Sequence, residues 1–233
     1  MTEIPKLKLN TKTAISDQIY SFLRSLIIST KITPGSSFSE NALSAHFSVS
    51  RQPVRVALNN LEHDGLISVY PQKGTVVKKI SIKNLRQVVF VRSSLECSSI
   101  DNIKNLSVDK FASVIKKLKN NIRDQEKKID RDNLAQTFLP LDDKFHEIIC
   151  SFSDCEMTWP LIQSVKGHLD RIRYLSLGNE SPVESLIEHH KTIFQAIEDY
   201  DYERVKELLR EHHNEVLQTH ISIKRKYEQW FEE

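Results

Sequence analysis

Residues 38–77 read FSENALSAHFSVSRQPVRVALNNLEHDGLISVYPQKGTVV, and this stretch decides the fold of the N-terminal part of the chain. Ser39 precedes apolar residues at helical spacing, which predicts a short helix with that serine as its N-cap. A second helix is predicted over Arg51–His63, because Ser50 can cap it and Pro53 falls in its first turn. The pattern indicates two short helices joined by a tight turn.

The residues after the second helix predict a β-hairpin. Gly65 can end the helix because glycine tolerates the left-handed conformation. Two runs of alternating polarity, Leu66–Tyr70 and Thr75–Lys79, are the expected strands. The turn between them carries Lys73 at its tip and Gly74 at its end. Two helices, a turn and a hairpin together indicate a winged helix-turn-helix domain.

Arg51, Gln52 and Arg55 lie near the N-terminal end of the second helix, to one side of its apolar stripe. In helix-turn-helix proteins this end of the second helix meets the edges of DNA bases in the major groove. The three side chains are therefore candidates for DNA contact. The alternative, from the residues alone, is that they belong to a solvated helix face.

Charge is divided unevenly along the 233 residues. Residues 1–80 carry ten Lys or Arg against five Asp or Glu, whereas the remainder carries 23 against 26. A basic N-terminal part joined to a slightly acidic C-terminal part is typical of a DNA-binding domain coupled to a different module.

Apolar runs and cysteines give expectations about the compartment. No segment approaches the ~20 apolar residues of a membrane helix, and the N-terminus lacks the apolar core of a signal peptide. Cys97, Cys150 and Cys155 are an odd number without metal-type spacing. We therefore expect free thiols in a cytoplasmic protein, with no membrane partner.

The periodicity of the chain divides it into an arm and two domains. Residues 1–12 are polar and are expected to form a mobile N-terminal arm. Residues 13–79 are assigned to the winged domain. Residues 80–233 show helical periodicity in about six segments, one of them continuous over residues 159–177. The predicted fold is mainly α, with an N-terminal winged helix-turn-helix domain and a C-terminal all-α antiparallel helical bundle.

Asp142 and His146 are four residues apart, so both side chains lie on one face of a helix. His190 and His212 fall on the apolar faces of two later helices, and this pattern ranks His212 above its neighbour His213. Three imidazoles and one carboxylate that converge inside a bundle would hold a divalent metal. The alternative is a set of hydrogen-bonded or surface histidines.

The run Val49-Ser-Arg-Gln-Pro-Val-Arg55, followed by Gly65-Leu-Ile67 and Pro71-Gln-Lys-Gly74, resembles the DNA-binding domain of the GntR family. The chain departs from the family at Asn41, where an arginine is frequent, and at Val56, where an acidic residue is frequent. The resemblance implies that arginines read the major groove and that the wing approaches the minor groove. The predicted DNA-binding residues are Ser39, Ser50, Arg51, Gln52, Arg55, Lys73 and Gly74.

The second domain resembles the all-helical FCD (FadR C-terminal domain) of the FadR-type branch of that family. Three runs carry the resemblance: Asp142-Asp-Lys-Phe-His146, the stretch His190–Ile197, and Arg210-Glu-His212. It implies a divalent metal, with zinc, nickel or manganese expected, held by the aspartate and histidines of these runs. It also implies a small carboxylate or sugar acid bound nearby.

Arg92 lies four residues before Glu96 on the first helix of the second domain and matches a family arginine that often faces the pocket. Its guanidinium suits a carboxylate effector. Arg171 and Arg173 are further candidates. The alternative for Arg92 is a surface or interdomain salt bridge.

The leading interpretation is a ligand-responsive transcription regulator, expected to be a repressor. It would bind a palindromic operator in double-stranded DNA as a homodimer, because two-fold protein symmetry matches two-fold DNA symmetry. One alternative is a metal-dependent hydrolase or lyase fused to a DNA-binding domain, although no residue is evidently placed as a general base. Another is a DNA-binding protein whose bundle only dimerises.

Overall fold

The computed structural model describes residues 4–70, 74–177 and 182–232 of the chain. Within these residues the protein is mainly helical and has one small three-stranded sheet. The predicted fold class is confirmed, with a winged helix-turn-helix domain followed by an all-α domain. No helix in the described ranges is both long enough and apolar enough to cross a membrane.

The N-terminal domain packs three helices against a small sheet. Its elements, among the described residues, are α1 (Ile15–Ile28), β1 (Ser37–Phe38), α2 (Glu40–Phe47), α3 (Arg51–His63), β2 (Ile67–Tyr70) and β3 (Gly74–Val77). The sheet order is β1-β3-β2, and both pairs are antiparallel. The sequence does not predict β1, because a two-residue strand is too short to show alternating polarity.

The two serines that precede α2 and α3 behave differently. The Ser39 hydroxyl accepts a hydrogen bond from the backbone N–H of Ala42 at 3.1 Å, as predicted. Ser50 has the extended backbone of an N-cap, but its side chain makes no capping hydrogen bond. The prediction of a side-chain cap at Ser50 is therefore wrong. Pro53 occupies the third helical position, so one of the two N–H groups that a cap can bind is missing.

This difference leads to a matched stability experiment. Ser39→Ala is expected to lower the free energy of unfolding by about 1 kcal/mol, because it removes the hydroxyl that accepts the capping hydrogen bond. Ser50→Ala should change it little. Urea unfolding followed by circular dichroism compares the two variants with the wild type. Equal losses in both variants would contradict the assignment of the cap to Ser39 alone.

The C-terminal domain consists of packed helices and short 3-10 turns. The α-helices that the structure describes there are α4 (Ile82–Asp101), α5 (Val108–Lys127), α6 (Leu134–Cys150), α7 (Thr158–Val165), α8 (Gly167–Ser176), α9 (Val183–Glu198) and α10 (Tyr202–Lys226). Pro140 lies inside α6, which continues through it. Helices α4, α5, α6, α9 and α10 pack around the largest cluster of buried apolar side chains.

The helix predicted over residues 159–177 is wrong, because the chain breaks into α7 and α8 at Lys166. Gly167 begins α8 at a close contact with the N-terminal domain. A Cβ at this position would lie 2.8 Å from Cδ2 of Leu66, so only glycine fits without rearrangement. The Lys166 side chain is buried and forms ion pairs inside the protein. The break therefore occurs where the two domains meet.

The segment between the two domains and the N-terminal arm also contact the folded parts of the protein. Arg171 donates to the backbone oxygen of Lys78 at 2.6 Å, and Ile80 pairs with Phe231, which follows α10 in the chain. In the arm, Leu7 and Leu9 pack against the core of the N-terminal domain. In the described part of the arm these two leucines thus contact the folded domain, and the mobility expected of residues 1–12 from their sequence stays a prediction.

Candidate metal centre and DNA-binding surface

Four side chains from three helices meet inside the C-terminal domain. Asp142 and His146 lie one turn apart on α6, His190 comes from α9, and His212 comes from α10. One ligand atom of each lies within 4.8 Å of the others. His146 and His190 are fully buried, and Asp142 is almost so. The structure brings together all four residues that the sequence predicts as metal ligands.

Two further side chains orient the imidazole rings. Glu96 Oε2 lies 2.7 Å from Nδ1 of His146, and Gln125 Oε1 lies 2.8 Å from Nδ1 of His190. The Gln125 amide nitrogen in turn donates to Asn121 at 2.7 Å, which fixes the orientation of the amide. A carboxylate and an amide oxygen can only accept, so both Nδ1 atoms donate. The Nε2 atoms of both rings are left as lone-pair donors for a cation.

Burial and neighbouring charge set the protonation of three of the four residues. Burial lowers the pKa of His190 to about 3 and that of His212 well below its ordinary value. Burial alone would raise the pKa of Asp142, but neighbouring positive charge, that of Arg173 foremost, outweighs it and lowers that pKa. His190 and His212 therefore present neutral imidazoles and Asp142 an ionised carboxylate, which are the forms that bind metal ions.

The unsatisfied atoms of the group fit a bound cation. His190 Nε2 is buried and has no hydrogen-bond partner. Nε2 of His212 faces Nε2 of His146 at 3.2 Å, a contact in which only one of the two nitrogens can donate. Imidazole nitrogens with one carboxylate oxygen suit zinc or nickel, and manganese tolerates them. The residues present thus fit the metal that the family resemblance implies.

His213 and Glu96 belong to the same buried cluster. The Nδ1 atom of His213 lies 2.9 Å from the Ser93 hydroxyl, and its Nε2 atom lies 3.2 Å from Glu96 Oε2. Burial lowers the pKa of His213 to about 4. Helix α10 packs on both α4 and α9, so adjacent histidines can both face inward. Helical periodicity predicts a single buried face for α10, and it therefore does not predict that His213 is buried as well.

A pocket with a cavity volume of about 50 Å³ adjoins the four residues. Its polar lining includes Asp142, Arg173, His212 and Arg92. Arg92 is buried, and its Nε donates to Glu96 Oε1 at 2.7 Å. The ion pair of Arg92 is therefore inside one helix, not on the surface or between domains. One terminal nitrogen of its guanidinium has no hydrogen-bond partner, so Arg92 retains a donor for an anion.

The predicted DNA-reading residues lie at the start of α3, where Arg51 and Gln52 are exposed. Arg55 is also exposed, but it is paired. Its Nε and Nη2 donate to the two carboxylate oxygens of Glu40 at 3.0 and 2.9 Å. The Arg55 hydrogen bond lowers the pKa of the Glu40 carboxylate. Sequence spacing gave no signal for this pair, because the partners are on different helices.

The wing is the hairpin of β2 and β3. Strand β3 begins at Gly74, whose φ of +95° is in the region that favours glycine. A Cβ at Gly74 would lie 3.2 Å from the backbone oxygen of Phe38, so this glycine also allows close pairing with β1. Lys73, the predicted wing-tip contact, lies outside the described residues. The Ser39 hydroxyl is used as the α2 cap, and Ser50 is exposed before α3.

A chain of ion pairs joins the candidate metal centre to the N-terminal domain. Arg173 contacts Asp142 and also lies 3.2 Å from Asp170. Asp170 accepts from Nη2 of Arg24, on α1, at 2.8 Å. Arg24 Nε lies 3.6 Å from Asp64, which follows α3. Sequence analysis named Arg173 only as a further candidate and gave no signal for the interdomain partners.

Two further groups support this chain of ion pairs. Lys166 lies 2.6 Å from Asp170 and 2.7 Å from Asp143, and Asp143 also contacts Arg173 at 2.8 Å. Tyr20 donates to Asp64 at 2.5 Å, and burial, together with this bond, raises the pKa of Tyr20 to about 12. The charged groups of this chain are thus each paired with a group of opposite charge.

Comparison with known proteins identifies both domains. Residues 15–77 match the model for bacterial regulatory proteins of the gntR family, and residues 87–215 match the FCD domain model. The HTH-type transcriptional repressor RspR of Escherichia coli (strain K12) is 34% identical over 226 residues, which cover 97% of each chain. The gluconate operon transcriptional repressor of Bacillus licheniformis is 26% identical and covers 83% of this chain and 80% of that protein.

Solved structures show the same fold at lower sequence identity. A GntR regulator from Rhodococcus sp. RHA1 superposes with a TM-score of 0.65 at 18% identity, over 88% of this chain and 99% of that one. McbR/YncC of E. coli superposes with a TM-score of 0.64 at 20% identity, over 92% of this chain and 98% of that one. The two relatives from Escherichia coli and Bacillus licheniformis described above are named as transcriptional repressors. The chain therefore belongs to the GntR family of bacterial transcription regulators, in the branch whose C-terminal domain is the FCD domain.

Proposed function

We propose that this regulator is a repressor that binds a palindromic operator as a homodimer and senses a small carboxylate or sugar acid near a bound divalent metal. Repressor activity is supported by the names of two relatives, from Escherichia coli and Bacillus licheniformis. The cytoplasm is the compartment in which such a protein would meet its operator. The alternative in which the C-terminal domain only dimerises leaves its buried donor atoms without a role.

The observation that carries the proposal is a polar pocket next to four converging ligand side chains. Asp142, His146, His190 and His212 would hold the metal, which supplies positive charge for an anionic ligand when bound. Arg92 would hold the carboxylate through its unpaired guanidinium nitrogen. The apolar part of the lining would exclude water from this contact and strengthen it.

The proposed response needs a difference in ligand affinity between two conformations. Asp142 is shared, because its carboxylate faces the histidines and also contacts Arg173. A change at the pocket would alter how Arg173 divides its hydrogen bonds among its carboxylate partners. Asp170 is one of those partners and also holds Arg24 of the DNA-binding domain. Ligand binding would in this way change the position of α1 relative to α8.

A thermal-shift screen with operator titration tests the proposal. A true effector at 100 times its Kd should stabilise the protein by about 2.7 kcal/mol. The shift should vanish after chelation and in His190→Ala, and the same acid should change operator affinity. His63→Ala, which removes an exposed histidine of the N-terminal domain, is the control. If no acid shifts the melting temperature and chelation changes nothing, the sensor proposal is wrong.

Operator recognition has a separate test. Arg51→Ala should reduce discrimination between the operator and unrelated DNA by roughly tenfold, about 1–2 kcal/mol, because base contacts carry specificity. Lys73→Ala should instead weaken binding to both DNAs and lower its salt dependence. Fluorescence anisotropy at several salt concentrations measures both effects, with Lys128→Ala of the C-terminal domain as the charge control. Unchanged discrimination in Arg51→Ala would contradict its assignment.

A further inference from the structure

A second group of ligand side chains lies on the outer side of His212. His189 on α9 and Glu215 on α10 join His212 in this group, with one ligand atom of each within 4.8 Å of the others. Nδ1 of His189 lies 3.3 Å from Oε2 of Glu215. Two ligands about 2.0–2.1 Å from a tetrahedral zinc ion lie roughly that far apart. Neither His189 nor Glu215 belongs to the motifs that suggested the first metal site.

Each of the three residues has a polar atom that is unsatisfied. Nδ1 of His189, Nδ1 of His212 and Oε2 of Glu215 are each buried and have no hydrogen-bond partner. A buried polar atom without a partner destabilises the folded protein. Although His189 and Glu215 are close enough for an ion pair, their geometry does not make a hydrogen bond. Three such atoms together are explained by one cation that accepts all three lone pairs.

His212 stands between the two groups. Its Nε2 atom faces His146 in the first group, so its Nδ1 atom is the one left for the second. An imidazole ring can bind one cation through each nitrogen. A neutral ring carries one N–H, so a ring that binds two cations must release that proton to solvent.

We propose that His189, His212 and Glu215 form a second divalent-cation site, joined to the first through the His212 ring. Two imidazole nitrogens and one carboxylate oxygen suit zinc and its neighbours in the first transition series. The side chain of His189 is 44% exposed and that of Glu215 is 28% exposed, which gives the cation a path from solvent. Glu215 and His212 also line the pocket, so the second cation would add positive charge where an anion enters.

The site depends on the proposed metal centre only through His212, so the test separates the two. The full-length protein is stripped with a chelator and titrated with Co²⁺ by equilibrium dialysis, with visible absorption as a second readout. The wild type should bind two equivalents per chain. His189→Ala and Glu215→Gln should each bind one, with half of the cobalt absorption lost. Glu211→Gln, one helical turn before Glu215 and exposed, is the matched control and should bind two.

The other outcomes overturn the second site. If the wild type binds one equivalent, which Asp142→Ala abolishes and Glu215→Gln leaves unchanged, the first centre stands and the second is wrong. If the wild type binds no cobalt, both are wrong. If it binds two equivalents and both His189→Ala and Glu215→Gln still bind two, the second cation lies elsewhere and the assignment falls.

Discussion

Replacement of Arg173 by methionine is expected to lower the free energy of unfolding by about 3–5 kcal/mol, the usual cost of removing one partner of a buried ion pair. The Arg173 side chain is only 12% exposed and contacts the carboxylates of Asp142, Asp143 and Asp170. Without it these three anions face each other across a buried space. Lys166 still pairs with two of them, so the expected loss falls short of unfolding the domain.

Urea unfolding of Arg173→Met and the wild type, monitored by circular dichroism, measures this loss. Arg131→Met is the control, because Arg131 pairs with Glu184 on the surface with 80% of its side chain exposed. Exposed ion pairs of this kind often contribute nothing measurable. A loss below about 1 kcal/mol in Arg173→Met would mean that Lys166 alone balances the carboxylates.

The cluster of Arg173, Lys166 and their carboxylate partners also predicts how the stability lost in Arg173→Met depends on pH. Burial would raise the pKa of Asp143 and of Asp170, but Arg173 and Lys166 hold both pKa values below the ordinary value of 3.8. A carboxyl whose pKa is lowered by folding stabilises the protein fully above its unfolded pKa and loses that contribution as the pH falls through its folded pKa. The difference between wild type and Arg173→Met should therefore be largest near neutral pH and shrink below about pH 3.8. Urea midpoints measured from pH 7 to pH 3 test this sign.

The parts of the fold that the sequence predicts well are those with local causes. The helix expected from about Arg51 to His63 matches α3, because an apolar stripe, a proline in the first turn and a following glycine all mark it. The prediction that Ser39 caps α2 is confirmed for the same reason. The four residues Asp142, His146, His190 and His212 follow from helical spacing and from motifs that resemble the FCD domain.

The features that the sequence does not predict depend on distant contacts. The break at Gly167 arises where α8 meets Leu66, which is about a hundred residues away in the chain. The interaction of Gln125 with His190 joins helices that are also far apart in sequence. Arg55 is paired with Glu40 across the helix-turn-helix, and periodicity cannot show such a pair. Local patterns place residues on a face, whereas partners across the fold are set by packing.

Replacement of Arg24 by methionine is expected to uncouple ligand binding from DNA binding. In the wild type, an effector with a typical allosteric coupling of 1–3 kcal/mol would change the operator Kd by about 5- to 150-fold. In Arg24→Met the change should fall below about twofold, because the variant removes the contact between α1 and Asp170. The thermal shift caused by the effector should persist, since the pocket and metal ligands are intact. Operator titrations with and without the effector measure the ratio of the two operator Kd values in each protein.

The structure makes the outcome specific to this contact. Asp142 faces both the candidate metal centre and the chain of ion pairs that continues through Arg173. The last interdomain link in that chain is between Asp170 and Arg24. Lys31→Met is the control, because Lys31 lines the same cleft between the domains but is outside the ion-pair chain. A full response in Arg24→Met would mean that the domains are coupled by another route, with the remaining contacts of α8 with α1 as the path.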